Sequence, residues 1–214
     1  MLLYIIDIIQ ILTVIVSSIF YYKYRYSPLK YICFYLWYAT INDLTIGYYL
    51  DYILKETDFL YNIRQILLFA LIYYILKKNI QKQIRRKVID FLFLIYLTTL
   101  LIEIVFFKNF ISNYLPLSYF TGGLVSLLGI MYYAIERLQS EDTTPIQKDL
   151  TVWFLMGNLI FWIGYLPVYI ILNNYTYFHE DVINSLIVLK KIFIIVQNII
   201  FIFGFIVSGR VRKS

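Results

Sequence analysis

Residues 88–107 read VIDFLFLIYLTTLLIEIVFF, twenty positions carrying charge only at Asp90 and Glu103. About 20 consecutive, mostly apolar residues are what an α-helix needs to cross ~30 Å of hydrocarbon. The run is continuously apolar, whereas a membrane β-strand alternates over about ten residues. The same pattern recurs on either side, at 2–22, 31–50, 60–76, 117–135, 150–172 and 183–208. The sequence therefore predicts an all-α integral membrane protein: one transmembrane domain over residues 1–214, a bundle of seven helices numbered 1 to 7 along the chain.

Composition agrees. Hydrophobic residues make up 61% of the chain and charged residues 15%, against about 45–50% and about 25% in soluble domains. Lipid can solvate that much apolar surface and water cannot. The net charge of +6 is accordingly read by position and not as affinity for nucleic acid. The single cysteine, Cys33, excludes an internal disulfide and a thiolate metal cage and reads as a small packing residue. The first apolar run begins at Leu2 with no basic segment before it. It is also longer than the ~7–15 residues of a signal-peptide core, so it reads as a first helix and not as a cleaved leader.

Lys and Arg sort to the cytoplasmic side of membrane proteins. Fourteen of the 19 fall in one set of loops: Lys23, Arg25, Lys30, Lys77, Lys78, Lys82, Arg85, Arg86, Lys87, Arg137, Lys148, Arg210, Arg212 and Lys213. The opposite loops hold Lys55 and Lys108, with Asp51, Glu56, Asp58, His179, Glu180 and Asp181. The amino end is therefore predicted outside and the carboxyl end inside. Tyrosines crowd the span ends, among them Tyr21, Tyr22, Tyr73, Tyr74, Tyr132 and Tyr133, as an aromatic belt at the headgroup layer does. Ile46-Gly47-Tyr48 in helix 2 and Ile163-Gly164-Tyr165 in helix 6 suggest a 3+1+3 parallel repeat, with helices 1–3 and 5–7 as halves and helix 4 as linker. Parallel repeats occur in transporters.

A charge in hydrocarbon costs ~2.5–3.5 kcal/mol at the bilayer centre by insertion scales, so such residues pair or face a wet cavity. Asp7, Asp43, Arg64, Glu103, Lys190 and Lys191 all fall in the outer half of their helices on this topology, while Asn158, Gln197 and Asn198 lie deeper. Two readings stand side by side. The six are buried ion pairs or snorkelling cations that set helix packing, with Asp43 facing Arg64 and Glu103 or Asp7 facing a helix 7 lysine. Otherwise they line an outward-facing polar vestibule, with Asn158 and Asn198 holding the helix 6–7 contact beneath it. Lys190 and Lys191 point about 100° apart, so only one of them is expected to face the bundle centre.

Gly122 with Ser126, and Gly204 with Ser208, have the small-residue spacing that lets helix backbones approach. Pro167 should bend helix 6. The Lys77–Lys87 cluster reads as the orientation signal and could also attract anionic headgroups. Asn174-Tyr175-Thr176 matches a glycosylation sequon. No zinc-protease helix, P-loop or dinucleotide fingerprint occurs, nor a serine elbow. The one histidine, His179, cannot build a multi-histidine metal site. No enzymatic activity and no cofactor are expected.

The string Trp153-Phe154-Leu155-Met156-Gly157-Asn158-Leu159-Ile160-Phe161, together with Leu60-Tyr61-Asn62 at the start of helix 3, resembles a pattern in small bacterial seven-helix inner-membrane proteins of unknown function. The resemblance covers the layout of the whole chain and about a dozen motif residues. Related seven-helix bundles serve as sensor modules. No output domain is expected after helix 7, so a sensor would act through a separate cytoplasmic or membrane partner. The resemblance brings no catalytic residues with it.

The expectation is a non-enzymatic receptor or sensor of a bacterial cytoplasmic membrane. It would bind a small molecule or lipid through Asp43, Arg64, Glu103, Lys190, Lys191, Asn158 and Asn198. A carrier of two three-helix halves moving a small polar solute is the alternative, and a membrane-disrupting effector or scaffold controlled by a partner is the third class.

Overall fold

The computed structural model describes residues 2–45, 58–107, 110–111, 113–139, 145–173 and 179–210. Among them it forms α1 (Leu2–Ile19), α2 (Lys30–Thr45), α3 (Asp58–Asn79), α4 (Gln83–Ile102), α5 (Pro116–Gln139), α6 (Leu150–Asn173) and α7 (Glu180–Val207), and no β-strand. Five of these helices are long and apolar enough to cross a membrane: α3, α4 with its continuation to Phe107, α5, α6 and α7. The molecule is all-helical, with the long apolar elements a multi-pass membrane protein requires.

Several ends differ from the expected ones. Helix 1 stops at Ile19, and Tyr21–Lys23 form a 3₁₀ turn. α3 is longer at both ends, with Asp58 in its first turn and Lys77 and Lys78 in its last, each charge placed favourably against the helix dipole. α4 begins at Gln83, because the basic stretch before residue 88 is itself helical. Its α-geometry ends at Ile102, and Glu103–Phe107 form a π-helical turn. Residues 46–50 of helix 2, and with them the triplet Ile46-Gly47-Tyr48, lie outside the described residues. So do Asp51, Lys55, Glu56, Lys108, the Asn174 sequon, Arg212 and Lys213.

The chain divides into two compact units, Met1–Lys23 with Thr144–Arg210, and Tyr24–Thr143 with Val211–Ser214. This grouping is not that of the 3+1+3 repeat, which would set helices 1–3 against 5–7. Packing is the reason: α7 packs on both α1 and α6, so the two ends of the chain close one unit, and α2 to α5 form the other.

In the three-helix unit, α1 and α7 run parallel. The Lys23 ammonium, just past α1, donates to the carbonyls of Phe205, Ile206 and Ser208 at 3.1, 2.8 and 2.8 Å. It thereby satisfies carbonyls that a helix end leaves without intrahelical partners. α6 runs antiparallel to α7, since the Gly209 amide donates to the Lys148 carbonyl at 2.9 Å. Rings seat on glycines along this pair. A Cβ at Gly157 would lie 2.6 Å from the Phe201 ring, one at Gly164 would meet the Phe193 ring, and one at Gly204 would meet Trp153 Cβ. The small residues thus serve packing inside the unit. Pro167 lies within α6, which continues through it.

In the four-helix unit, α2 and α3 form an antiparallel pair, with the Tyr31 ring edge-on to Tyr74 at 5.7 Å. α3 and α5 are parallel, and α4 runs against both. Gly122 of α5 faces the Phe69 ring, and a Cβ at Gly129 would lie 2.8 Å from Leu76. Asp90 pairs with Lys77 at 2.7 Å and accepts from the Tyr73 hydroxyl at 2.7 Å, the interaction with the basic end that its position implies.

Candidate functional site

α5 begins at Pro116, so the residue before it is Leu115, which has no side chain able to cap the helix. The missing acceptor comes from α4. The π-helical turn opens on Glu103, 2% exposed. Its carboxylate accepts from the amides of Leu117 at 2.9 Å and Ser118 at 2.7 Å. At the opposite end Glu136 of α5 accepts from the amides of Gln81 and Lys82, and from Arg85, at the start of α4. Two antiparallel helices thus exchange carboxylates, each near its own C-terminal end and against its neighbour's N-terminal end, where negative charge is favoured.

Around Glu103 a polar cluster forms at one end of the four-helix unit. Asn62 donates to the Phe110 and Asn113 carbonyls at 2.9 and 2.8 Å and accepts from the Leu115 amide at 3.2 Å. It therefore ties the segment entering α5 to α3. Gln65, one turn on, donates to the Ser118 hydroxyl at 3.3 Å. Arg64 forms an ion pair with Asp43 of α2, as expected, and both side chains are partly exposed. On the residues next in sequence, the Asn42 amide nitrogen and the Gln65 side-chain oxygen are buried with no hydrogen-bond partner among the described residues. They are a donor and an acceptor, one on each helix of the α2–α3 pair. Buried polar groups nearly always have partners, so these two are exceptions among the described residues.

A narrow cleft lies between α3, α4 and α5, with about 20 Å³ open to the centre of a water-sized sphere, room for about one water. Phe69 follows Gln65 by one turn and Gly122 follows Ser118 by one turn, so the near end of the cleft lies one helical turn from the cluster along α3 and α5. Its walls are apolar and aromatic, including Phe69, Tyr73, Phe93 and Val125, with Ser126 and Tyr96 the other hydroxyl-bearing residues. The Tyr96 hydroxyl is buried without a partner among the described residues.

The remaining expected site residues belong to the three-helix unit. The Lys190 ammonium lies 5.4 Å from the centre of the Tyr165 ring on α6, so it is Lys190 that turns toward the neighbouring helix. Lys191 is half-buried on α7. Asn158, fully buried, accepts from Gln197 at 3.2 Å and donates to the Phe154 carbonyl at 2.8 Å. Asn198 donates to the Ile194 carbonyl of its own helix at 2.8 Å. The α6–α7 amide contact therefore runs through Asn158 and Gln197, not through Asn198. Glu103 has its two oxygens taken up by α5 amides, a role different from pairing with a helix 7 lysine. Asp43, Arg64 and Glu103 share one end of the four-helix unit; Lys190, Lys191, Asn158 and Asn198 have surroundings of their own in the other.

Asn42, Gln65, Tyr96, Ser118 and Glu136 carry no mark in the sequence that singles them out, and Asn62 stood out only as part of the Leu60-Tyr61-Asn62 string. One signal was present: a helix start at Leu115-Pro116 without a local cap calls for an acceptor from elsewhere. Fold and site together define an all-helical chain with five helices long and apolar enough to cross a membrane and a polar cluster at one end of its four-helix unit. No protein-family model, curated protein or solved structure matches the chain.

Proposed function

We propose that this chain crosses a bacterial cytoplasmic membrane seven times, amino end outside and carboxyl end inside. On this reading it is a non-enzymatic receptor or sensor that binds a small molecule or lipid at the α2–α5 cluster and acts through a separate partner. Two features support the topology. Parallel spans in one membrane need an odd number of crossings between them, and five helices separate α1 from α7. Lys77, Lys82, Arg85 and Arg86 gather at one end of the four-helix unit, opposite Asp43, Arg64 and Glu103, which suits a cytoplasmic face.

The observation that carries the binding role is the pair of unsatisfied amide atoms, Asn42 Nδ2 and Gln65 Oε1, each on the residue next in sequence to a member of the Asp43–Arg64 ion pair. Lipid offers no water to satisfy them. Native mass spectrometry of the protein released from membranes tests the role even while the ligand is unidentified. The wild type should carry a bound species below the mass of a protein subunit, and Asn42→Leu or Gln65→Leu should lose most of it. Equal occupancy in all three proteins would remove the cluster from the site. Orientation is tested on a Cys33→Ala background: an impermeant maleimide added to intact cells should label Glu180→Cys and not Gln147→Cys, and the reverse would invert the topology.

A further inference from the structure

The end of the four-helix unit opposite Asp43 and Arg64 holds a second arrangement, which the receptor reading does not use. There the start of α2 lies beside the last turns of α3. The Lys30 ammonium is 5.0 Å from the centre of the Tyr31 ring. Tyr31 meets Tyr74 edge-on at 5.7 Å. Lys78, one turn beyond Tyr74, sets its ammonium 5.9 Å from the centre of the Tyr74 ring. The four residues form a row across the α2–α3 contact: cation, ring, ring, cation.

Neighbouring cations at this end are answered within the protein. Lys77 pairs with Asp90 at 2.7 Å and Arg85 with Glu136 at 3.5 Å. Arg86 donates to the Ile80 carbonyl at 2.9 Å. Lys30 and Lys78 differ, because among the described residues neither ammonium has a carboxylate or other hydrogen-bond acceptor. An aromatic face attracts a cation through its quadrupole but brings no countercharge. The row therefore holds two positive charges whose countercharge has to come from outside the chain.

The surroundings decide what brings it. Tyr31 is followed along α2 by Phe34, Trp37 and Ile41, all exposed and spaced three or four residues apart, hence on one face. On α3, exposed Leu67 shares a face with Tyr74 and Lys78. The row thus heads an apolar surface, and α3 is apolar enough to cross the bilayer. Tyrosine rings at a span end suit the headgroup layer. Basic recesses between membrane helices on the cytoplasmic side take phospholipid headgroups. A soluble anion could answer the charges but would leave the apolar strip beneath them uncovered, whereas a phospholipid answers both.

We infer that the Lys30–Tyr31–Tyr74–Lys78 row binds the headgroup of an anionic phospholipid, its phosphate drawn to the two ammonium groups and an acyl chain lying along Phe34 and Ile41. The test uses the full chain, delipidated in detergent. It is titrated with dioleoyl phosphatidylglycerol, or with dioleoyl phosphatidylcholine as the zwitterionic lipid of identical chains, and the first lipid adduct is read by native mass spectrometry. Phosphatidylglycerol should bind at least tenfold more tightly. Lys30→Gln and Lys78→Gln should each weaken it about fivefold, the worth of one lysine at an anionic lipid surface, and together they should abolish the preference. Both substitutions lie at half-buried or exposed positions, and an unchanged size-exclusion profile checks that the variants stay folded. The pair Lys82→Gln and Lys87→Gln, exposed cations outside the row, should change binding less than twofold. Equal affinity for the two lipids would overturn the assignment. So would an equal loss from the Lys82 and Lys87 pair, which would reduce the effect to a diffuse basic surface. Millimolar inorganic phosphate should leave the adduct in place, and displacement by it would make this a site for a soluble anion instead. None of these outcomes bears on the Asn42 and Gln65 cluster, so the lipid row and the receptor reading stand or fall separately.

Discussion

Removing the Glu103 carboxylate should loosen the start of α5 whether or not any ligand is present. The side chain is 2% exposed and holds the Leu117 and Ser118 amides at 2.9 and 2.7 Å. Hydrogen bonds to a charged group contribute about 1.5–3 kcal/mol each, and an amide left buried and unpaired costs about 1–3 kcal/mol. Against this stands the cost of keeping a carboxylate buried, which its removal relieves. The balance for Glu103→Ala is a loss of about 3 kcal/mol. For a chain of this length that corresponds to a fall in Tm of about 6–12 °C. Glu103→Gln keeps one acceptor oxygen but turns an NH₂ group toward the second amide, so roughly half the loss is expected. Thermal unfolding of the delipidated protein in detergent, followed by loss of the monodisperse peak in size-exclusion chromatography, gives the midpoint directly. A Glu103→Ala midpoint within a degree or two of wild type would refute the capping role and return Glu103 to the ligand site as its main task.

Three further outcomes are expected from the packing and the other charges. Gly204→Ala should destabilise the α6–α7 pair by about 1–2 kcal/mol, because an added methyl meets Trp153 Cβ, an atom fixed to the backbone, and overpacking outweighs the ~1 kcal/mol gain in helix propensity; Gly209→Ala, with Lys148 Cβ at an ordinary 3.6 Å, serves as the near-neutral control in the same unfolding assay. In a double-mutant cycle on Asp43 and Arg64, Asp43→Ala should cost more than the double alanine variant, since it leaves the guanidinium uncompensated, and the coupling should be about 1–3 kcal/mol; additive single effects would show that the pair contributes nothing. Lys23→Met should raise hydrogen exchange in the last turn of α7, whose carbonyls it holds, by about tenfold, while exchange in the first turns of α7 stays unchanged; a uniform rise along α7 would argue for global loosening instead.

The helices were legible because lipid solvation writes itself into continuous apolar runs, and their charged ends because Lys77, Lys78 and Arg137 close helices where cations are favoured. What the sequence did not disclose was which helices pack together. In water, polarity marks the outward face of a helix. In lipid that mark is missing, because hydrocarbon is as apolar as a core. Ile192, Ile199 and Phe203 are exposed on α7 while Phe201 and Phe205 are buried, and no difference of residue type separates the two sets. The three-plus-three grouping drawn from two Gly-centred triplets had only such residues to rest on. Gly164 turned out to mark the seat of the Phe193 ring, a packing role that any helix pair can require.

The polar residues show the same logic from the other side. Asp43 with Arg64 could be paired from their positions along the helices, but the partner of Glu103 depended on which helix begins beside it, a fact of tertiary structure. Once the backbone is accounted for, the intramembrane polar groups sort themselves. Lys23, Asn62, Glu103 and Glu136 answer main-chain donors and acceptors at helix ends, where a bilayer supplies none. Asn158 joins α6 to α7. Among the buried atoms with no hydrogen-bond partner in the described residues are the Asn42 amide nitrogen, the Gln65 oxygen and the Tyr96 hydroxyl of the four-helix unit. A charged residue in a membrane helix is therefore weaker evidence of a ligand than an uncharged one left unsatisfied, because the charge has structural work available at every helix end and the orphaned amide has none.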